Sequence, residues 1–84
     1  MTWKLPIRVF ARLRELAGTD VINVTVPNDA TVADVRTAVE GMWPQASRLL
    51  ANSAVAVNNE YADADHPIRP RDEVALIPPV SGGA

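Results

Sequence analysis

Gly82 and Gly83, just ahead of Ala84, are the residues of this chain whose type and place point most directly to chemistry. Lacking a Cβ, they leave an end slim enough to thread a narrow channel in another protein and place a carboxyl group there. Small, polar chain ends are also commonplace, so a lone Gly-Gly carries little weight by itself. Other chemistries find less support. Metal binding needs clustered ligands, but His66 is the sole histidine, and it stands beside Asp63 and Asp65 in a turn-like stretch. Nucleophilic catalysis would hang on that same His66, because the chain has no cysteine. Phosphate binding by a glycine loop needs glycines between a strand and a helix, whereas Gly18, Gly41, Gly82 and Gly83 are scattered or terminal.

Two further groups are candidates for recognition. The run Arg12-Leu13-Arg14-Glu15 fits either a solvated connection or a site for an acidic partner, with Arg14 and Glu15 the members to test. Phe10, Tyr61 and Ile77 either line an exposed sheet face as a docking patch or help to cover a small core.

The elements that must position these residues follow from period and punctuation. Lys4 to Phe10 alternates, with Leu5, Ile7 and Val9 on one face and Lys4, Pro6, Arg8 and Phe10 on the other, as in a strand. Leu13 and Leu16 are spaced like one helical turn that Gly18 closes, and Val21 to Val26 reads as a second strand pairing with the first in a wide hairpin. Thr31 with Asp34 forms a capping box ahead of Val32, Val35, Ala38, Val39 and Met42, which predicts an amphipathic helix over Thr31 to Met42. Trp43-Pro44 ends it, and Ala46 to Leu50 fits a short further turn of helix. Ser53 to Val57 is the third strand, Asn58-Asn59-Glu60 a tight turn into a short strand at Tyr61, and Glu73 to Ile77 the last strand. Pro78-Pro79 stops it and stiffens the exit.

The order β-β-α-β-β-β is satisfied by one main helix laid across one face of a mixed sheet of four to five strands. That is an α+β fold, the β-grasp arrangement of ubiquitin-like proteins. At 84 residues the chain holds one domain, over residues 1–80, with residues 81–84 as a flexible tail. Composition narrows its setting. Hydrophobic residues make up 48%, enough for an ordinary core. Eight Lys plus Arg against ten Asp plus Glu give a net charge of −2, which argues against nucleic acid as a partner. The N-terminus lacks a signal-peptide pattern, and no apolar run approaches the roughly 20 residues that span a bilayer. The expectation is a cytoplasmic protein without membrane contact.

The segment Phe10-Ala11-Arg12-Leu13-Arg14-Glu15-Leu16-Ala17-Gly18 resembles the first signature of the molybdopterin synthase small subunit, the MoaD family of the MoaD/ThiS sulfur carriers. Val57-Asn58-Asn59, Asp65-His66-Pro67-Ile68 and Asp72 through Gly83 resemble the same family in order and spacing, the closing Pro78-Pro79-Val80-Ser81-Gly82-Gly83 most specifically. The resemblance implies a sulfur carrier in molybdenum cofactor biosynthesis, without a bound cofactor or metal. A MoeB-like enzyme would consume ATP to adenylate the Gly83 carboxylate, which then becomes a thiocarboxylate. The tail, Gly82 included, would enter a pocket on a MoaE-like large subunit and deliver sulfur to cyclic pyranopterin monophosphate, in a complex of two small and two large subunits. Catalytic side chains would belong to that large subunit. The family's docking face matches Phe10, Tyr61 and Ile77, with Arg14 nearby and Pro79, Val80 and Ser81 leading into the tail. Carriers for thiamin or cysteine synthesis share the fold and the Gly-Gly end, and a ubiquitin-like binding or modifier domain without sulfur transfer is a third alternative. One departure stands out. Family members generally end at the second glycine, so Ala84 would have to be removed before Gly83 could be activated.

Overall fold

The computed structural model describes residues 1–79. Val80, Ser81, Gly82, Gly83 and Ala84, on which the tail chemistry rests, lie outside the described residues.

In chain order the elements are β1 (Thr2–Val9), α1 (Ala11–Ala17), β2 (Val21–Pro27), α2 (Val32–Met42), a 3-10 turn (Pro44–Ala46), α3 (Ser47–Ala51), β3 (Ala54–Val57), β4 (Glu60–Tyr61) and β5 (Val74–Ile77). The five strands form one mixed sheet in the order β2-β1-β5-β3-β4. β1 pairs antiparallel with β2 and parallel with β5, which puts the first and last strands side by side at the centre. The alternation read from the sequence has the predicted sense. Leu5, Ile7 and Val9 are buried, as are Ile22, Val24 and Val26 of β2 and Val74 and Leu76 of β5. Together with Val55 and Val57 of β3 they face Val32, Val35 and Val39 of α2, which supply the other side of the core. No helix among the described residues is long and apolar enough to cross a membrane.

Local chemistry explains the ends of α2. The Asp34 carboxylate accepts the Thr31 N–H at 2.9 Å, as its half of the capping box. The next N–H groups, which have no partner inside the helix, donate to loop carbonyls: Val32 to His66 at 3.0 Å and Ala33 to Ala64 at 2.9 Å. Asp65-His66-Pro67-Ile68 is thus a strap across the start of α2, held also by the Ile68 N–H on the Ala30 carbonyl and by buried Ile68 itself. At the other end Arg36 donates to the carbonyls of Leu50, at 2.9 Å, and Ser53, tying α2 to α3 and the start of β3.

Two details add to these readings and one amends them. The connection between β1 and β2 is a true helix, α1, begun at Ala11 with φ 51° and closed by Gly18 with φ 74°. Only Leu13 of its two leucines enters the core, and Leu16 remains 40% exposed. Ser53 stands outside β3, because its N–H is held by the Leu50 carbonyl and its hydroxyl by that of Leu49 at 2.7 Å.

Candidate functional site

With the helices on one side of the sheet, the side chains that point to the other side form the candidate site. Register defines the row. Arg8 lies opposite Ala75, Ala75 opposite Ala56, and Ala56 opposite Tyr61, so these four cross the sheet from β1 to β4 on one face. One step further along, Ile77 pairs with Ala54, and Val9 pairs with Leu76. Phe10 keeps extended backbone angles beyond Val9 and so arrives beside Ile77.

The middle of that row is built from methyl groups at Ala56 and Ala75, flanked by larger side chains. The result is an open depression of about 260 Å³, walled by Arg8, Phe10, Tyr61, Glu73 and Ile77. Phe10 is 40% exposed and Tyr61 76% exposed, too much for core residues. Large side chains left exposed beside such a depression are compatible with contact to another molecule. The Arg8 guanidinium lies 5.7 Å from the centroid of the Phe10 ring, within cation–π range.

The turn that carries Tyr61 is fixed by its own sequence. Asn58 and Asn59 have φ of 53° and 69°, the left-handed pair that a two-residue type I′ hairpin requires and that asparagine tolerates well. The Asn58 amide then reaches to the other side of the depression. Its Nδ2 donates to Asp72 Oδ1 at 3.0 Å, and its Oδ1 accepts the Glu73 N–H at 3.0 Å. Asp72 Oδ2 also accepts the Arg69 N–H at 2.8 Å. These donors hold the Asp72 carboxyl below its ordinary pKa, the Arg69 N–H first and the Asn58 amide second. The clamp joins the β3–β4 turn to the start of β5.

Of the residues proposed from the sequence, Phe10, Tyr61 and Ile77 come together on this face. Pro79 is exposed two residues beyond Ile77, after a buried Pro78. Arg14 stands apart, on α1, where its Nε donates to Asp20 Oδ1 at 2.7 Å. Both partners of that ion pair are well exposed, so it contributes little to stability. His66 and its neighbours are exposed, and no group of His, Cys, Asp and Glu suited to a metal occurs among the described residues. Sequence reasoning missed Arg8, Glu73 and the two alanines at the centre. Arg8 carried a signal, since it alternates with Phe10 on the strand's outer face. The alanines carried none before the register was known.

The fold defines a β-grasp protein of the ubiquitin-like kind, with an open depression on the uncovered side of its sheet, next to the strand that leads to the C-terminus. More narrowly, the chain belongs to the ThiS family, whose sequence model matches residues 7–83. It is 40% identical over 86 residues to the molybdopterin synthase sulfur carrier subunit of Dictyostelium discoideum, covering 99% of this chain and 100% of that one. It is also 40% identical over 91 residues to small archaeal modifier protein 1 of Haloferax volcanii, covering 99% and 100%. The crystal structure of SAMP1 from Haloferax volcanii superposes with a TM-score of 0.79 at 36% identity, covering 96% of this chain and 100% of that one.

Proposed function

We propose that this chain is the sulfur-carrier subunit of a molybdopterin synthase. The carrying observation is that its likeness to named sulfur carrier subunits runs the length of the chain, with the family match extending to Gly83. The docking face beside β5 supports the reading, because a carrier must seat its body on a partner to aim its tail.

In this reading Ala84 is removed first, since a Gly83 carbonyl in a peptide bond has no carboxylate to activate. A MoeB-like enzyme joins the freed carboxylate to the AMP part of ATP and releases pyrophosphate, turning a poor acyl electrophile into one with a good leaving group. Sulfide supplied by the sulfur donor displaces AMP to give a thiocarboxylate, an anionic nucleophile at neutral pH. The body then docks through Phe10, Tyr61 and Ile77 on a MoaE-like large subunit, in an assembly of two small and two large subunits in the cytoplasm. Pro79, Val80 and Ser81 lead Gly82 and Gly83 to cyclic pyranopterin monophosphate. Holding the donor atom at the acceptor replaces a bimolecular encounter, the service this chain supplies to catalysis. Side chains that move protons belong to the large subunit.

The test is intact mass. A chain ending at Gly83, incubated with activating enzyme, ATP and a sulfur donor, gains one oxygen-for-sulfur exchange, and the same chain with Ala84 gains none. An unchanged mass for the Gly83-ended chain overturns the proposal.

A second reading is favoured by the Haloferax volcanii relative, which is named a modifier protein. The activated Gly83 would then be joined to amines of other proteins. Supplying the thiolated chain with large subunit and pterin precursor separates the two, since molybdopterin forms only if the chain is a synthase subunit.

A further inference from the structure

We infer that Arg8 is a specificity-determining residue of the docking face, and that the large subunit meets it with a carboxylate. The inference rests on the sulfur-carrier reading and adds the charge chemistry of the partner.

Arg8 forms the β1 wall of the depression. Its neighbours across the sheet are Val21 on β2 and Ala75 on β5. Its side chain lines the same depression as Phe10, Tyr61 and Ile77, and its head is held over the Phe10 ring. Glu73 lines that depression too, yet Arg8 makes no ion pair or side-chain hydrogen bond among the described residues. Among the described residues the one ion pair is Arg14–Asp20, away from this depression.

A partner that covers Phe10, Tyr61 and Ile77 removes water from a guanidinium in the same hollow. Five N–H donors then lose their acceptors. Burying a charge without a counter-charge is strongly unfavourable, so the face works as an interface only if the partner brings acceptors with it. A carboxylate fits best, because its two oxygens match the guanidinium fork and neutralise the charge. The cation–π contact with Phe10 already holds the guanidinium near the depression, so less side-chain freedom is lost on binding. The apolar residues thus supply contact area, and Arg8 sets which apolar surfaces are accepted. A partner with a cation at the facing position is rejected. The competing arrangement has Arg8 laying its stem on Phe10 while its head stays in water at the rim, and it makes the opposite prediction.

The experiment measures binding of the full chain to the large subunit of molybdopterin synthase from the same organism, at two ionic strengths. Arg8→Met keeps an unbranched apolar stem and deletes the charge, and Arg8→Glu reverses it. Arg8→Met is expected to weaken binding by about 30-fold or more, mostly through faster dissociation, and to reduce the salt dependence. Arg8→Glu is expected to bind more weakly still, because two carboxylates then face each other. Melting curves like that of the original chain show that neither variant acts through the fold. Arg8→Met binding as tightly as the original chain, or Arg8→Glu no more weakly than Arg8→Met, overturns the inference. If the unsubstituted chain does not bind, it is the sulfur-carrier reading that fails.

Discussion

The clamp between Asn58 and Asp72 makes a prediction whose size and pH dependence both follow from geometry. Asp72 accepts two hydrogen bonds, from the Arg69 N–H at 2.8 Å and from Asn58 Nδ2 at 3.0 Å, and Asn58 returns one to the Glu73 N–H at 3.0 Å. Bonds to a charged group contribute about 1.5–3 kcal/mol each when sheltered, but these are open to water, so about 1–2 kcal/mol is assigned to the whole clamp. Asp72→Ala removes the carboxylate. For a domain of this size the loss lowers Tm by about 5–10 °C near neutral pH.

The sign with pH is determined by the direction of the shift. Asp72 is more acidic in the folded chain than its ordinary 3.8, so the folded state favours the ionised form. Its contribution is complete above the unfolded pKa and is lost as pH falls through the lower folded value. The Tm gap between the original chain and Asp72→Ala therefore stays level from neutral pH to about pH 5 and narrows between about pH 5 and pH 3. Asn58→Gly is the matched partner, because glycine keeps the φ of 53° while deleting both side-chain bonds. In a double-mutant cycle the two substitutions should couple by at least about 0.5 kcal/mol. A gap that does not narrow in acid, or strictly additive effects, would refute the clamp.

Two further predictions concern the short helix. Leu13→Ala empties a fully buried site and should cost about 2–5 kcal/mol by chemical denaturation, whereas Leu16→Ala, at a 40% exposed site, should cost less than about 1 kcal/mol. Equal losses would show that the two leucines share one environment. At Ala11, where φ is 51°, a change to Gly relieves left-handed strain and should be neutral or stabilising by up to about 1 kcal/mol, while Ala33→Gly inside α2 should cost about 1 kcal/mol. Similar losses at both, read from Tm, would rule out the strained turn.

The fold was legible wherever one physical signal dominated. β1 declared itself by alternation, because one side of the sheet is covered and the other is not. α2 declared itself by a capping box followed by valines at helical spacing. α1 was harder to read. Its seven residues contain one buried leucine, and its start depends on a left-handed alanine that helix propensity does not favour. Leu16, at helical spacing from Leu13, lines a shallow groove with Arg12, Ala46 and Leu49. Only the placement of the 3-10 turn and α3 could reveal that. Of the walls of the outer-face depression, Phe10, Tyr61 and Ile77 were visible, whereas its floor was not. Ala56 meets Ala75 through strand register, which depends on pairings between residues far apart in the chain.

That floor also explains why docking and sulfur delivery would be coupled. Had larger side chains stood at Ala56 and Ala75, the face would be flat or convex and a partner could rest on it in several orientations. The two adjacent methyl groups leave a hollow here, and a hollow would favour one position of a partner. Ala75 and Ile77 alternate on β5, the strand that runs on through Pro78 and Pro79 towards Gly82 and Gly83. β5 lies between β1 and β3, inside the sheet, so the chain leaves from the middle of the face rather than from an edge. A protein seated in the hollow therefore touches the very strand that carries the tail. The buried Pro78 and the restricted φ of both prolines limit how far the exit can swing from that strand. In the carrier reading, recognition of the body and aim of the tail would both depend on this one strand, and a change on its outer face would disturb both together.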